Sequence, residues 1–374
     1  MGRLNDLKAQ GQAVWLDFVD RKFLNEGGLK KLVEEDGLTG VTSNPSIFEK
    51  AMGHGDAYDD SLANYDKQHP GAATIDRYEA QAVEDIQVAA DTLRPVYDKL
   101  DGKDGYVSLE VSPYIADDTD AAISEAQKLW AMVDKPNLMI KIPGTLAGAP
   151  AISATIAQGI NVNVTLLFAL DAYIRVAEAY ATGLEERVRQ GQPIDRIASV
   201  ASFFVSRIDG SIDKEIDRRV GENDPESEAL KAVRGKVAIA NAKLAYQWFL
   251  DFEKSERWQA LAAKGAQSQR LLWASTGTKD KAYPDTLYVD SLIGRDTVNT
   301  MPPTTMDAFR ERGTVAAALV EGVDEAKHVL AEAERLGLKL TGVTDTLVLE
   351  GVASFAKAFD DLLGALAAKQ PAHA

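Results

Sequence analysis

The sequence predicts an α/β fold: a TIM (β/α)8 barrel with additional helices. Two patterns carry that prediction. Short apolar runs recur eight times along the chain, and stretches of helical period lie between most of them. A third observation disfavours the main rival, a doubly wound open sheet. No Gly-rich dinucleotide turn joins a strand to a helix anywhere in the chain.

The strands are expected in this order. The first, Ala13–Val19, is a run of β-formers interrupted by Asp17, and Asp20 and Arg21 mark its end. Gly37–Asn44 stops at Asn44-Pro45, a turn-forming pair. Tyr106–Ser112 carries Glu110 in its middle. Asn137–Gly144 is rich in Leu, Met and Ile and closes with Pro-Gly. Ile160–Phe168, Ile197–Val205, Arg270–Gly277 and Asp285–Ile293 complete the set. Helical patterns run over Thr74–Leu100, Asp117–Val133, Asp171–Gln190 and Ser227–Phe252. The stretch from about 209 to 265 is extra helical material before the seventh strand. The tail from about 342 to 367 reads as one or two closing helices. No Pro/Gly/Ser-rich linker or low-complexity segment interrupts the chain, so residues 1–374 are expected to form a single domain.

Composition removes several classes of function. With 374 residues and 45% hydrophobic content, the chain has enough apolar material for a large core. Its net charge of −16 is dispersed, and no basic stripe offers itself to nucleic acid. No segment approaches a membrane span, and the first residues lack an apolar signal core, so a cytoplasmic protein is expected. Gly2 follows Met1, but Asp6 stands where a myristoylation motif needs a hydroxyl. The absence of cysteine excludes disulfides and thiol nucleophiles. Of the four histidines, His54, His69, His328 and His373, no two stand at metal-ligand spacing, so neither a metal site nor a histidine triad is expected.

Lys141 is the most informative residue. A lysine inside a buried strand has no surface to reach. Burial disfavours an ammonium ion and favours the nucleophilic amine, whose natural chemistry is imine formation with a carbonyl. Side-chain parity then sorts the strands. Lys141 shares a face with Met139 and Pro143, and Glu110 with Ser108 and Ser112. Asn161, Asn163 and Thr165 share another, as do Thr42 with Asn44, and Ser202 with Phe204 and Ser206. In a barrel covered by helices that face is the interior, where polar groups are costly unless they bond to each other or to a ligand. Ordinary structural readings exist beside this one. Lys141 with Glu110 or Asp17 makes an internal ion pair, Thr42 and Asn44 shape a turn, and Arg207 is a surface cation. Ser275 to Lys279 is either a flexible loop or a phosphate cradle. Trp15, Phe203 and Trp273 are packing residues, whereas Phe204 is a candidate to line the site.

These motifs resemble those of the transaldolase family, of the longer bacterial type. The resemblance rests on the Asp17 strand, Gly40-Val-Thr-Ser-Asn-Pro45, the Glu110 strand, Ile140-Lys-Ile-Pro-Gly-Thr145 and Gly159-Ile-Asn-Val-Asn-Val-Thr-Leu166. Ser202-Phe-Phe-Val-Ser-Arg207 and Ala274-Ser275 follow in order. It implies a cofactor-free, metal-free class I aldol mechanism on sugar phosphates. Lys141 would form the Schiff base, Asp17 would exchange the C4 hydroxyl proton, and Glu110 would relay protons through a water held by Thr165. Asn44, Asn163 and Ser202 would bind the hydroxyls of the retained three-carbon unit, and Arg207 and Ser275 would bind the phosphate; Thr42 and Phe204, from strand parity, are further candidates to line the substrate site. The implied reaction moves dihydroxyacetone from sedoheptulose 7-phosphate to glyceraldehyde 3-phosphate, a step of the pentose phosphate pathway. The protein would act as a monomer or homodimer. One departure stands out: better-known members place an arginine two residues after the seventh-strand serine, where this chain has Gly277. Lys279 is the substitute cation expected here. The alternatives are a fructose 6-phosphate aldolase that releases dihydroxyacetone, and a non-catalytic barrel that binds sugar phosphates.

Overall fold

A computed structural model of the chain describes residues 2–370; Met1 and residues 371–374, including His373, lie outside the described residues. Eight strands close into a barrel in sequence order, each hydrogen-bonded in parallel to its neighbours. They are β1 (Gln12–Asp17), β2 (Gly40–Thr42), β3 (Tyr106–Glu110), β4 (Leu138–Pro143), β5 (Val162–Leu167), β6 (Ser199–Phe204), β7 (Arg270–Ala274) and β8 (Thr297–Met301). The expected TIM-type barrel is therefore the fold. Among the described residues, no helix is long and apolar enough to cross a membrane.

Seven expected strands fall on observed ones, six of them shortened; β1 starts one residue early, at Gln12, and stops at Asp17, and Asp20 caps the following helix by accepting from the Phe23 amide. The eighth does not. Residues 285–293 form a loop and a short helix, Leu287–Ser291, and the last strand is Thr297–Met301 instead. A short run with buried Tyr288, Val289, Leu292 and Ile293 has the composition of a strand, and periodicity cannot separate the two at that length. The true strand looks polar because Thr297 and Asn299 point away from the barrel axis, where each accepts a side-chain hydrogen bond. Gln12 donates to Thr297 (3.1 Å) and Thr276 to Asn299 (3.0 Å). The helical stretch expected at 227–252 is likewise two helices, Ser227–Val233 and Val237–Phe252. The chain breaks between them at Gly235, whose φ of +71° is easy only for glycine.

The interior is layered. At the N-terminal end of the strands Trp15 fills the barrel. Gly40 lies directly beside it, where a Cβ would come within 2.4 Å of the indole. Trp15 donates to Asp104 (2.9 Å), which also pairs with Arg270 (3.2 Å). Two residues further along the same strands the filling changes from aromatic to polar, beginning with Asp17 and Thr42. Helix Leu340–Ala368 runs across this C-terminal end. Its Gly351 backs onto Leu166 and Arg207, and its Phe359 packs edge-on against Tyr78 (5.2 Å) and Tyr114 (5.7 Å).

Candidate active site

Strand register brings the predicted residues onto one interior level. Glu110 pairs with Lys141 across β3 and β4, Lys141 with Asn163 across β4 and β5, and Asp17 with Thr42 across β1 and β2. Register partners in a parallel sheet point to the same face, so parity puts all of these side chains inside. Lys141 Nζ lies 3.0 Å from Glu110 Oε2 and donates to the Ser43 carbonyl at 2.9 Å. Both side chains are almost completely buried. The ordinary reading of an internal ion pair thus has its geometry, and the question is what else the pair does.

The carboxylates answer in part. Burial pushes Glu110 above the usual carboxylate range, against the opposing charge of Lys141, and the negative charge of Asp17 adds to the rise. Asp17 is raised too, again by burial first, with Lys141, the Thr42 hydroxyl and Arg207 pulling it back. Two acids and one amine therefore sense each other in a low-dielectric space, the arrangement in which protons are exchanged readily. Thr42 donates to Asp17 at 2.7 Å and its Oγ1 lies 2.7 Å from Thr300 Oγ1. Thr300 belongs to the strand the sequence hid.

A second chain of polar groups covers the neighbouring wall. Ser202 donates to Asn163 (2.7 Å), and Asn163 donates to Ser108 (3.0 Å). Ser108 shares Glu110's face and was not among the expected site residues; its parity was the available signal. Among the described residues, Thr165 Oγ1 is buried with no hydrogen-bond partner. Beside it β5 bulges between Val164 and Leu167, and Leu166 adopts φ +58°. A branched side chain in that region is strained, and such strain is held at sites where it aims a neighbour.

Phosphate-binding candidates gather at the mouth. Arg207 lies over the Phe204 ring at 5.3 Å, and Phe204 packs on Phe168 (5.1 Å). Burial lowers the guanidinium's pKa, while Glu350 and Asp17 oppose that. Among the described residues Arg207 makes no salt bridge, so a half-buried cation there is available to an anion. Ser275 has φ +56°, and its hydroxyl lies 2.9 Å from that of Ser206. Asn44 and Lys279 line one cleft together with Asp17. Asn44 spends its carbonyl oxygen capping helix Pro45–Gly53 through the Ile47 amide (3.0 Å). Lys279 is the exposed member of this set. Gly277 abuts Thr305, whose hydroxyl would lie 2.9 Å from an added Cβ, so a larger side chain there needs a shift of that wall.

The chain is also similar to known proteins along its length. A family model described as transaldolase/fructose-6-phosphate aldolase matches residues 14–366. The chain is 47% identical to a protein named transaldolase 2 from Nostoc sp., over 99% of this chain and 98% of the relative. It is 47% identical to a transaldolase of Thermobifida fusca over 99% of each chain, and 45% identical to one of Trichodesmium erythraeum over 98% and 97%.

Proposed function

The chain belongs to the transaldolase/fructose-6-phosphate aldolase family, and from that premise we propose that it is a transaldolase working through an imine on Lys141. The observation that carries this reading is the buried Lys141–Glu110 contact of 3.0 Å, with Asp17 close enough for its charge to raise the Glu110 carboxyl and for Lys141 to act on both acids. An ion pair serving structure alone has no use for a second acid.

The Lys141 amine adds to the C2 carbonyl of a ketose phosphate, and loss of water gives the iminium. Glu110 passes the protons of this addition and dehydration through a water held by Thr165, which suits a hydroxyl buried without a protein partner. Asp17 takes the C4 hydroxyl proton as the C3–C4 bond breaks. The bonding pair moves into the iminium, giving an enamine and a free aldehyde. The retained three-carbon unit lies among Thr42, Asn44, Asn163, Ser202 and Phe204, and stays bound until an acceptor aldehyde arrives and the steps reverse. Arg207, Ser275 and Lys279 hold the phosphate. Sedoheptulose 7-phosphate and glyceraldehyde 3-phosphate then give erythrose 4-phosphate and fructose 6-phosphate. Such phosphorylated substrates point to a cytoplasmic setting.

Borohydride trapping with fructose 6-phosphate, followed by peptide mass mapping, tests the reading. A three-carbon adduct on Lys141 is expected; folded protein that binds the sugar phosphate without forming the adduct favours the binding-protein alternative. The lyase reading is tested by supplying the donor with and without erythrose 4-phosphate. Ketose consumption that ignores the acceptor would make the protein an aldolase.

A further inference from the structure

The loop after β7 carries Ser275 and Lys279 on its first half, and its second half is tied to the helical insertion. Asp280 pairs with Arg234 at 2.7 Å, one residue after Lys279. Tyr283 places its ring on Gly235, where a Cβ would meet it at 2.6 Å, and donates to Asp213 at 2.7 Å. The Arg234 guanidinium covers the same ring at 5.2 Å and also donates to the Tyr283 hydroxyl. Further along, Tyr288 donates to Asp209 at 3.0 Å. From the insertion side Arg234 is itself held by a two-pronged contact to Asp217, both prongs at 2.8 Å. Arg234 occupies the break between helices Ser227–Val233 and Val237–Phe252, so its backbone is fixed by both.

We propose that Arg234 is a positioning residue for phosphate recognition: by holding Asp280 and Tyr283, it sets the loop so that Lys279 meets the phosphate end of the sugar beside Ser275. The inference rests on the transaldolase reading for its ligand and goes beyond it in giving the insertion a purpose. Ser275 needs the rare φ of +56°, and Lys279 is an exposed side chain with no hydrogen-bonded partner of its own among the described residues. Ser275 is tied to the barrel wall by Ser206, whose amide donates to its carbonyl at 3.1 Å and whose hydroxyl lies 2.9 Å from its own, so it is Lys279 that depends on an anchor further along the loop. A lysine binds phosphate as a point charge, so its affinity depends on where its backbone is anchored. The planar arginine fork fixes two carboxylates and a tyrosine at once, which is what an anchor requires.

The test compares a phosphorylated ketone with an unphosphorylated one. In Arg234→Ala and in Asp280→Ala, KM for fructose 6-phosphate is expected to rise about tenfold with kcat within about twofold. The affinity for inorganic phosphate, measured by calorimetry, falls by a similar factor. The rate at which dihydroxyacetone is trapped on Lys141 by borohydride stays at the wild-type value. Tyr283→Phe keeps the ring on Gly235 and loses only the hydroxyl contacts, so it gives a smaller change in the same direction if the alanine variants fold poorly. Unchanged phosphate affinity in all three variants overturns the proposal. So does a parallel loss of dihydroxyacetone trapping, which would mark general damage to the barrel. Wild-type protein that traps neither ketone refutes the transaldolase reading instead, while the phosphate affinities still decide the role of Arg234.

Discussion

The two ends of the barrel interior are built on the same strands and differ by two residues of height, yet they treat buried charge in opposite ways. At the N-terminal end Asp104 accepts from the Trp15 indole (2.9 Å) and the Gly105 amide (3.0 Å), and it pairs with Arg270 (3.2 Å). Its oxygens are engaged by fixed donors under an aromatic lid. At the C-terminal end, among the described residues, Glu110 meets a single cation, Thr165 Oγ1 has no partner, and both carboxyl groups are raised by burial. A buried charge surrounded by donors is part of the scaffold; a buried charge left short of them is held ready for a ligand. In a TIM barrel the first condition belongs to the end that stabilises and the second to the end that reacts.

Removing one charge from each end gives the sharpest contrast. Lys141→Met should lower transfer activity by about 10⁴-fold or more, as expected when a covalent nucleophile is lost, with no borohydride adduct. Its melting temperature should move little. Without Lys141 the main influence lowering the Glu110 pKa is gone, so this acid takes up a proton instead of standing as a bare buried charge. Activity above a tenth of wild type in the Met variant would break the comparison and remove Lys141 from the chemistry.

Asp104→Ala is the counterpart. It strands the Arg270 guanidinium and the Trp15 N–H together, which should cost about 3 kcal/mol and lower the melting temperature by several degrees. Turnover per folded molecule should stay within about twofold, because no Asp104 contact reaches the catalytic level. A stability loss below about 1 kcal/mol by denaturant titration would show that the lower pair is not the scaffold element described here.

How far each end was legible in the sequence follows from the same physics. Upper-level residues lie on strands whose inward positions are polar and outward positions apolar, so alternation alone separates Asn163 and Thr165 from Val162 and Val164. Lys141 stands out against Ile140 and Ile142 for the same reason. Thr300 was hidden because β8 inverts the pattern. Its outward Thr297 and Asn299 accept from Gln12 and Thr276, partners from β1 and the β7 loop that no local reading connects. Asp104 was invisible on different grounds: it precedes β3, and its partners lie 89 and 166 residues away. The anchoring of the β7 loop by Arg234 likewise joins residues that only the folded chain brings together. Contacts carried by strand alternation could be read, whereas long-range satisfaction of polar atoms could not.

Gly351→Ala moves the contrast to the lid over the reactive end. The new methyl group would lie 2.8 Å from Leu166 Cδ2 and 3.7 Å from an Arg207 nitrogen. Leu166 already holds a strained φ, so the helix must lift or the bulge must relax, and both displace Thr165 or Arg207. A loss of about tenfold in kcat/KM is expected, since small misplacements of a positioned group are costly. The melting temperature should fall by less than in Asp104→Ala. Unaltered kcat/KM would show that the C-terminal helix only covers the site.

The smallest effect expected is also the most diagnostic of how the reactive end is tuned. Thr42→Val removes the hydroxyl that donates to Asp17 at 2.7 Å and keeps the side-chain shape. That hydrogen bond is one of the influences holding the Asp17 pKa down against burial. Without it the acid form gains, and the acidic limb of kcat/KM should move to higher pH, because the role proposed for Asp17, taking the C4 proton, requires its ionised form. Stability runs the other way with pH. A carboxyl whose folded pKa lies above its unfolded value binds its proton more tightly when folded, so that contribution is fullest at low pH and is lost as pH rises through the folded pKa. Thr42→Val raises that folded pKa further, so the variant should lose more stability between acidic and neutral pH than the wild type does. At neutral pH, where wild-type Asp17 is the more fully ionised, the variant should be slower by a few-fold. An acidic limb that stays in place while kcat/KM falls uniformly would mean that Thr42 acts on the substrate directly and that Asp17 is not the group the limb reports.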